Sequence, residues 1–244
     1  MDLQTARAVL RQQLLTDRLF GLTSIPVELQ LPTAQATSGA RRGVDAAASA
    51  ERLRLLDESQ VKNCRKCRLC EGRTQTVFGQ GSPAARLVFV GEGPGFEEDK
   101  QGLAFVGPAG QLLTKMIAAM GLTRDDVYIC NVVKCRPPEN RTPQADEILA
   151  CSPYLHEQLS ILAPEMIVAL GAPAAKTLLN TAESIGKLRG RFHNYMGDGT
   201  GAAIPVMPTY HPAYLLRSPE EKGKVWADLQ LVMAELGLQS PQRT

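Results

Sequence analysis

Four short apolar runs, rich in β-branched residues and spaced by stretches of helical periodicity, limit what this chain can fold into. They lie at 86–91, 127–133, 166–170 and 203–207. Runs of this length, apolar on successive rather than alternate residues, read as strands buried on both faces. Helical patterns separate or follow them at 110–120, 142–162, 172–180 and 219–236. The first of these sets Leu112, Leu113, Met116, Ile117 and Met120 at helical spacing and stops at Gly121. Strands alternating with helices predict an α/β fold, a central parallel sheet of about four strands flanked by helices in three layers. Ligands of such sheets bind beyond the carboxyl ends of the strands. The distinctive polar residues fall there: Glu92 after the first run, Asn131 at the second, His211 after the last.

The chain has 244 residues, 44% of them hydrophobic, which suits one sizeable core with a tail. Apolar positions at Leu3, Ala6, Val9, Leu10, Leu14 and Phe20 outline an N-terminal helix, and residues 23–50 turn to Pro, Gln, Ala, Thr, Ser and Gly, the composition of a linker. The division expected is 1–50 for helix plus linker and 51–244 for the body. The arm reads as an appendage or as a docking segment for another, unknown protein. No apolar run reaches membrane-spanning length and no charged-then-apolar leader is present, so a cytoplasmic monomer is expected. Net charge is only +2, yet between Val61 and Arg86 six basic residues (Lys62, Arg65, Lys66, Arg68, Arg73, Arg86) face one acid, Glu71. Such a patch fits a phosphate backbone or a solvated face.

Cys64 and Cys67 form a C-x-x-C turn, and Cys135 and Cys151 follow much later. Two sulfurs on one turn and two from distant chain make a thiolate set suited to zinc or to an iron–sulfur cluster. Free buried thiols and a redox dithiol are the alternatives. Spacing alone would also admit Cys70 as a ligand.

The segment Gly91-Glu92-Gly93-Pro94-Gly95 must turn sharply and expose backbone amides, but it is neither a phosphate loop nor a dinucleotide fingerprint. Glu92 at its mouth is a candidate base or electrostatic stabiliser, or else an exposed loop carboxylate. Glu97, Glu98 and Asp99 read as a helix-entry acid cluster. Phe105 is either core or a platform for a planar ligand. Asn131 in an apolar strand must satisfy its amide; it can pair with a pyrimidine edge or serve as a cap. His211, followed by Pro212, presents an imidazole near the sheet edge, while His156 and His193 read as structural or surface residues. Leu215, Leu216 and Arg217 after it fit a wedge into stacked bases with a phosphate clamp, or a helix packing face.

Together these segments resemble the family 4 uracil-DNA glycosylases, the iron–sulfur branch of the uracil-DNA glycosylase superfamily. The matching pieces are Cys64-x-x-Cys67, the 91–95 turn with Glu98-Asp99, the run from Phe105 to Leu113, the run from Asn131 to Pro138, Asn140-Arg141-x-Pro143, Cys151, and Thr209-Tyr210-His211-Pro212-Ala213. The likeness runs from about residue 55 to the C-terminus and leaves the arm outside. It implies a 4Fe–4S cluster on Cys64, Cys67, Cys135 and Cys151, with Cys70 and Cys130 set aside, and uracil-containing DNA as substrate. It implies that Phe105 stacks on the flipped base, Asn131 reads its polar edge and Glu98 crowds C5 against thymine. Gly93 lies in the substrate site, where a small residue is usual. His211 is expected to donate toward O2, Glu92 to orient water, Leu215 and Arg217 to meet DNA, and Lys66, Arg68 and Arg73 to meet phosphates. A crosslinking relative carries a His-containing insert after the Asn-bearing strand; residues 134–141 here have no histidine, so turnover is expected. Two rivals are a zinc- or cluster-bearing nucleic-acid binding module without catalysis and an electron-transfer protein, for which no flavin or ferredoxin partner signal is seen.

Overall fold

A computed structural model describes residues 45–197 and 203–239. The N-terminal helix expected over 1–22 and most of the linker lie outside them. The first described helix, α1 (Ala46–Leu56), opens inside the stretch read as linker. Asp45 caps it by accepting from Ala47 N and Ala48 N, and Leu53 and Leu56 turn inward, so residues 46–50 are part of the packed body.

A one-turn π-helical segment, Asp57–Val61, continues α1 toward the cysteine turn. There follow α2 (Leu69–Gly72), β1 (Gln80–Gly81), β2 (Leu87–Gly91), α3 (Phe96–Gln101), α4 (Pro108–Ala119) and β3 (Tyr128–Asn131). The second half holds α5 (Ala145–Leu162), β4 (Met166–Leu170), α6 (Ala172–Leu179), α7 (Ile185–Leu188), β5 (His193–Tyr195), β6 (Ile204–Thr209), α8 (Pro212–Arg217) and α9 (Lys222–Leu236).

The strands order as β1-β3-β2-β4-β6-β5. The inner four, β3-β2-β4-β6, pair in parallel and are the strands expected; β1 and β5 are antiparallel additions at the edges. Each edge strand is too short to carry a readable pattern. β1 also depends on Gly81, whose φ of +123° and approach to the Val127 carbonyl leave no space for a side chain. β6 runs two residues past the expected end, through Pro208 and Thr209, beside Ala169 and Leu170 of β4.

Successive residues of the inner strands point to opposite faces. Val88, Val90, Ile167, Ala169 and Val206 pack toward α1, α5 and α6. Leu87, Phe89, Val168, Leu170 and Met207 pack toward α4 and α9. Burying each such side chain stabilises by about 1.5–3 kcal/mol relative to exposure, so both helical layers are held by the sheet rather than by their own propensity. The result is the three-layer α/β fold, with the carboxyl ends of β2, β3 and β6 meeting at one edge.

Candidate active site

That edge opens into a cleft of about 660 Å³, lined by Glu92, Gly93, Glu98, Phe105, Asn131, His211 and Arg217 among others. These seven residues, all expected at the substrate or the DNA, therefore meet in one place. Leu215 does not join them, nor do Lys66, Arg68 and Arg73.

Phe105 is buried and sits in the left-handed region at φ 54°, a conformation that a bulky residue adopts only under restraint. The restraint is visible on both sides. Glu98, buried at the first turn of α3, accepts hydrogen bonds from Gly95 N (3.1 Å), Val106 N (2.8 Å) and Gly107 N (2.8 Å). Arg124 donates to the Ala104 and Phe105 carbonyls at 2.7 and 3.1 Å, and Gln80 to Ala104 O at 3.1 Å. Gly110 lets α4 lie directly against the Phe105 carbonyl, where a Cβ would overlap it. Glu98 thus lines the cleft and also closes the turn by capping α3, as the acid-cluster reading foresaw; Arg124 carried no signal in the sequence.

Asn131 ends β3, is 1% exposed, and its Oδ1 is buried with no hydrogen-bond partner among the described residues. An amide oxygen left so is costly, on the order of 1–3 kcal/mol, unless a ligand supplies a donor. Gly91, paired with Asn131 across the sheet, makes the approach possible: a Cβ there would run into Asn131 Oδ1 and stand 2.7 Å from Phe105 Cε2. A Cβ on Gly93 would come within 2.7 Å of Val133 Cγ2, so this part of the cleft wall is bare backbone.

His211 caps α8, its Nδ1 accepting from Ala213 N at 3.1 Å. The ring proton therefore sits on Nε2, to which no hydrogen bond is made among the described residues. Burial, helped by the Arg217 charge and opposed by Glu98, depresses the His211 pKa to about 4, so the ring is neutral near pH 7. Its ring centroid lies 5.6 Å from that of Phe105, tilted by 35°. Burial raises the Glu92 carboxyl above its ordinary range, offset in part by the Thr142 hydroxyl. His156 and His193 bond Tyr195 Oη and Leu188 O, away from the cleft.

Leu215 is 1% exposed and packs into the core with Val225 and Leu229, which corrects its reading as a DNA wedge. One helical step turns Leu216 outward, 46% exposed, and Tyr214 stands 37% exposed beside it. Leu216, Tyr214 and Arg217 of α8 line the cleft, as do Phe96 of α3 and Pro137 and Asn140 of the segment after β3.

On the same face of the sheet as α5, Cys64, Cys67, Cys70, Cys135 and Cys151 line one small hollow, and all are free thiols. Donors already face three of the sulfurs: Tyr154 Oη to Cys64 (3.3 Å), Arg73 Nη1 to Cys135 (3.1 Å) and Lys134 N to Cys151 (3.3 Å). Such contacts suit thiolates bound to metal. Among the described residues no three His, Cys, Asp or Glu side chains gather as they would around a single ion. The thiols round this hollow are the side chains that could hold a metal centre.

Lys62, Arg65, Lys66 and Arg68 of the basic patch are exposed, and four of its six cations already have partners within the protein. Arg68 pairs with Asp146 at 2.7 Å, Arg73 turns to sulfur and to the Cys64 carbonyl, Lys66 lies 4.7 Å over the Tyr154 ring, and Arg86 pairs with Glu165. The chain brings acids and acceptors from α5 and its flanks to these cations. Arg68 also approaches the fully buried Glu147, which accepts two bonds from Arg141 at the cleft and one from Gln144 N. The cysteine turn and the cleft wall are thereby joined through one carboxylate.

Residues 78–230 match the model of the uracil DNA glycosylase superfamily. A type-4 uracil-DNA glycosylase of Thermotoga maritima is 48% identical over 69% of this chain and 85% of its own length. One from Sulfurisphaera tokodaii is 49% identical over 66% and 75%, and one from Pyrobaculum aerophilum 45% identical over 70% and 88%. With its family match over residues 78–230 and relatives of 45–49% identity covered over three quarters or more of their own length, this chain belongs to the uracil-DNA glycosylase superfamily, among the type-4 members.

Proposed function

We propose that this protein is a uracil-DNA glycosylase, hydrolysing the bond between uracil N1 and deoxyribose C1′ and leaving an abasic site. The observation that carries the reading is the partnerless Oδ1 of Asn131, buried at the back of a cleft that also presents a neutral imidazole and a clamped aromatic ring. Uracil offers what these groups lack: an N3–H for Oδ1, an O4 for the amide nitrogen and a planar face for Phe105. The base must leave the duplex to reach them.

As the N1–C1′ bond lengthens, negative charge collects on uracil O2 and positive charge on the sugar. A neutral His211 with its proton on Nε2 donates to O2 without first needing to lose charge. Glu92 orients a water toward C1′, takes up the proton it sheds and offsets the charge on the sugar. Glu98 keeps the Phe105 turn closed and narrows the space beside C5. Arg217 meets a phosphate, and Leu216 with Tyr214, rather than Leu215, fills the gap left in the stack. Cys64, Cys67, Cys135 and Cys151 would hold a 4Fe–4S cluster, which when bound supplies a cross-link between the cysteine turn, the end of β3 and α5.

No helix among the described residues is long and apolar enough to cross a membrane. Six free thiols suit the reducing cytoplasm, where we place the protein as a monomer acting on DNA, with the arm docking another protein. The test is uracil release from an oligonucleotide with a single uracil, read as alkali-labile cleavage. The parent cleaves; Glu92→Ala and Asn131→Ala each lose about 100-fold, roughly 3 kcal/mol of transition-state stabilisation. No cleavage by a folded parent refutes the reading.

A further inference from the structure

Phe96 is not explained by the site so far. It is the first residue of α3, lines the cleft and is 56% exposed, among the most exposed large apolar residues described. It is not a lone surface ring: Arg136 lays its guanidinium over it, 5.1 Å from Cζ to the ring centroid. Arg136 is in turn fixed by Asn140, whose Oδ1 accepts from Nε at 2.7 Å. Asn140 and its neighbour Glu139 both adopt left-handed backbone, φ 55° and 53°, so the segment that sets this arrangement holds two strained residues at the cleft lip. No described carboxylate lies within ion-pair distance of Arg136, and its charge stays available. One face of the ring is covered by a cation while more than half the residue remains open to solvent. A planar, electron-rich group beside an anion fits that surface.

We propose that Phe96 and Arg136 form a second nucleobase subsite, which stacks the base next to the flipped uracil on the same strand while Arg136 meets the adjoining phosphate. The inference rests on the glycosylase reading and extends it. Phe96 and the pair Leu216 and Tyr214 come from separate elements, α3 and α8, that line the same cleft, so the subsite would hold the strand at a point distinct from the Leu216–Tyr214 contact. Because ring stacking is indifferent to base identity, the subsite adds affinity without sequence preference.

Steady-state uracil release is measured on a single-stranded oligonucleotide, and on the same oligonucleotide with base-less tetrahydrofuran residues flanking the uracil. On the first substrate Phe96→Ala raises KM by about tenfold, and Phe96→Trp restores it. On the second, parent and Phe96→Ala converge. An unchanged KM on the first substrate, or the same rise on both, overturns the subsite. The binding arm uses an oligonucleotide with 2-aminopurine beside the uracil: its fluorescence is quenched more on the parent than on Phe96→Ala if the base stacks there, and equally on both if it does not. If the parent binds this probe yet releases no uracil, the glycosylase reading fails while the quench still decides the subsite.

Discussion

The imidazole of His211 takes an N–H from its own helix on one nitrogen and is kept from charging by its surroundings. Its pKa in the folded protein, about 4, lies below the ordinary 6.5. The unfolded chain therefore binds the proton first as pH falls. His211 takes nothing from stability above about pH 6.5, and stability is lost progressively from there down toward its folded pKa of about 4. Between about pH 7 and about pH 5 denaturant unfolding should show the parent losing about 2 kcal/mol more than His211→Asn. Equal losses would place the ring in a more open environment than this one. At this same scale the sequence left a choice that only packing resolves. Leu215 and Leu216 are adjacent and chemically alike, and a helical turn of roughly 100° decides that the first belongs to the core and the second to the cleft.

Among the elements, the end of β2 governs the cleft. Gly91 faces Asn131 on one side and the Phe105 ring on the other, in space no Cβ can share. Gly91→Ala should displace both groups: kcat/KM for uracil release falls on the order of 100-fold, while circular dichroism stays native because the inner strands are untouched. The four inner strands were legible since each is a short β-branched run buried on both faces. The edge strands β1 and β5 were not, having two and three residues that pair only because tertiary structure brings them alongside. The clamp on Phe105 was half legible. Glu98 belongs to an acid cluster at a helix start, but Arg124 sits in a polar turn and reveals itself only by reaching the Ala104 and Phe105 carbonyls. In the basic stretch a linear charge count shows the cations but not Asp146 and Glu147, which arrive from α5 beside Arg68.

For the molecule as a whole, the cysteine hollow ties together pieces far apart in the chain: the turn after α1, the exit of β3 and the second turn of α5. The C-x-x-C and the two later cysteines were legible as a possible thiolate set, while the choice of Cys135 and Cys151 over Cys70 came from the family likeness, since spacing alone admits Cys70 and the hollow holds all five sulfurs. Stripping iron with a chelator should lower the melting temperature on the order of 10 °C, by loss of about 3 kcal/mol of cross-linking. Hydrogen exchange should quicken first in residues 136–144, while β2 and β4 stay protected. A uniform rise across the sheet would instead make the cluster part of the core. Cys135 and Cys151 bracket the very segment that carries Pro137, Asn140, Arg141 and Thr142 to the cleft. With the proposed cluster bound, that stretch would have fixed end points but neither a set composition nor a set length. Descendants of this enzyme can therefore acquire new base preferences by exchanging or inserting residues inside the span while its two anchors stay in place; the tether directs where evolution can try change.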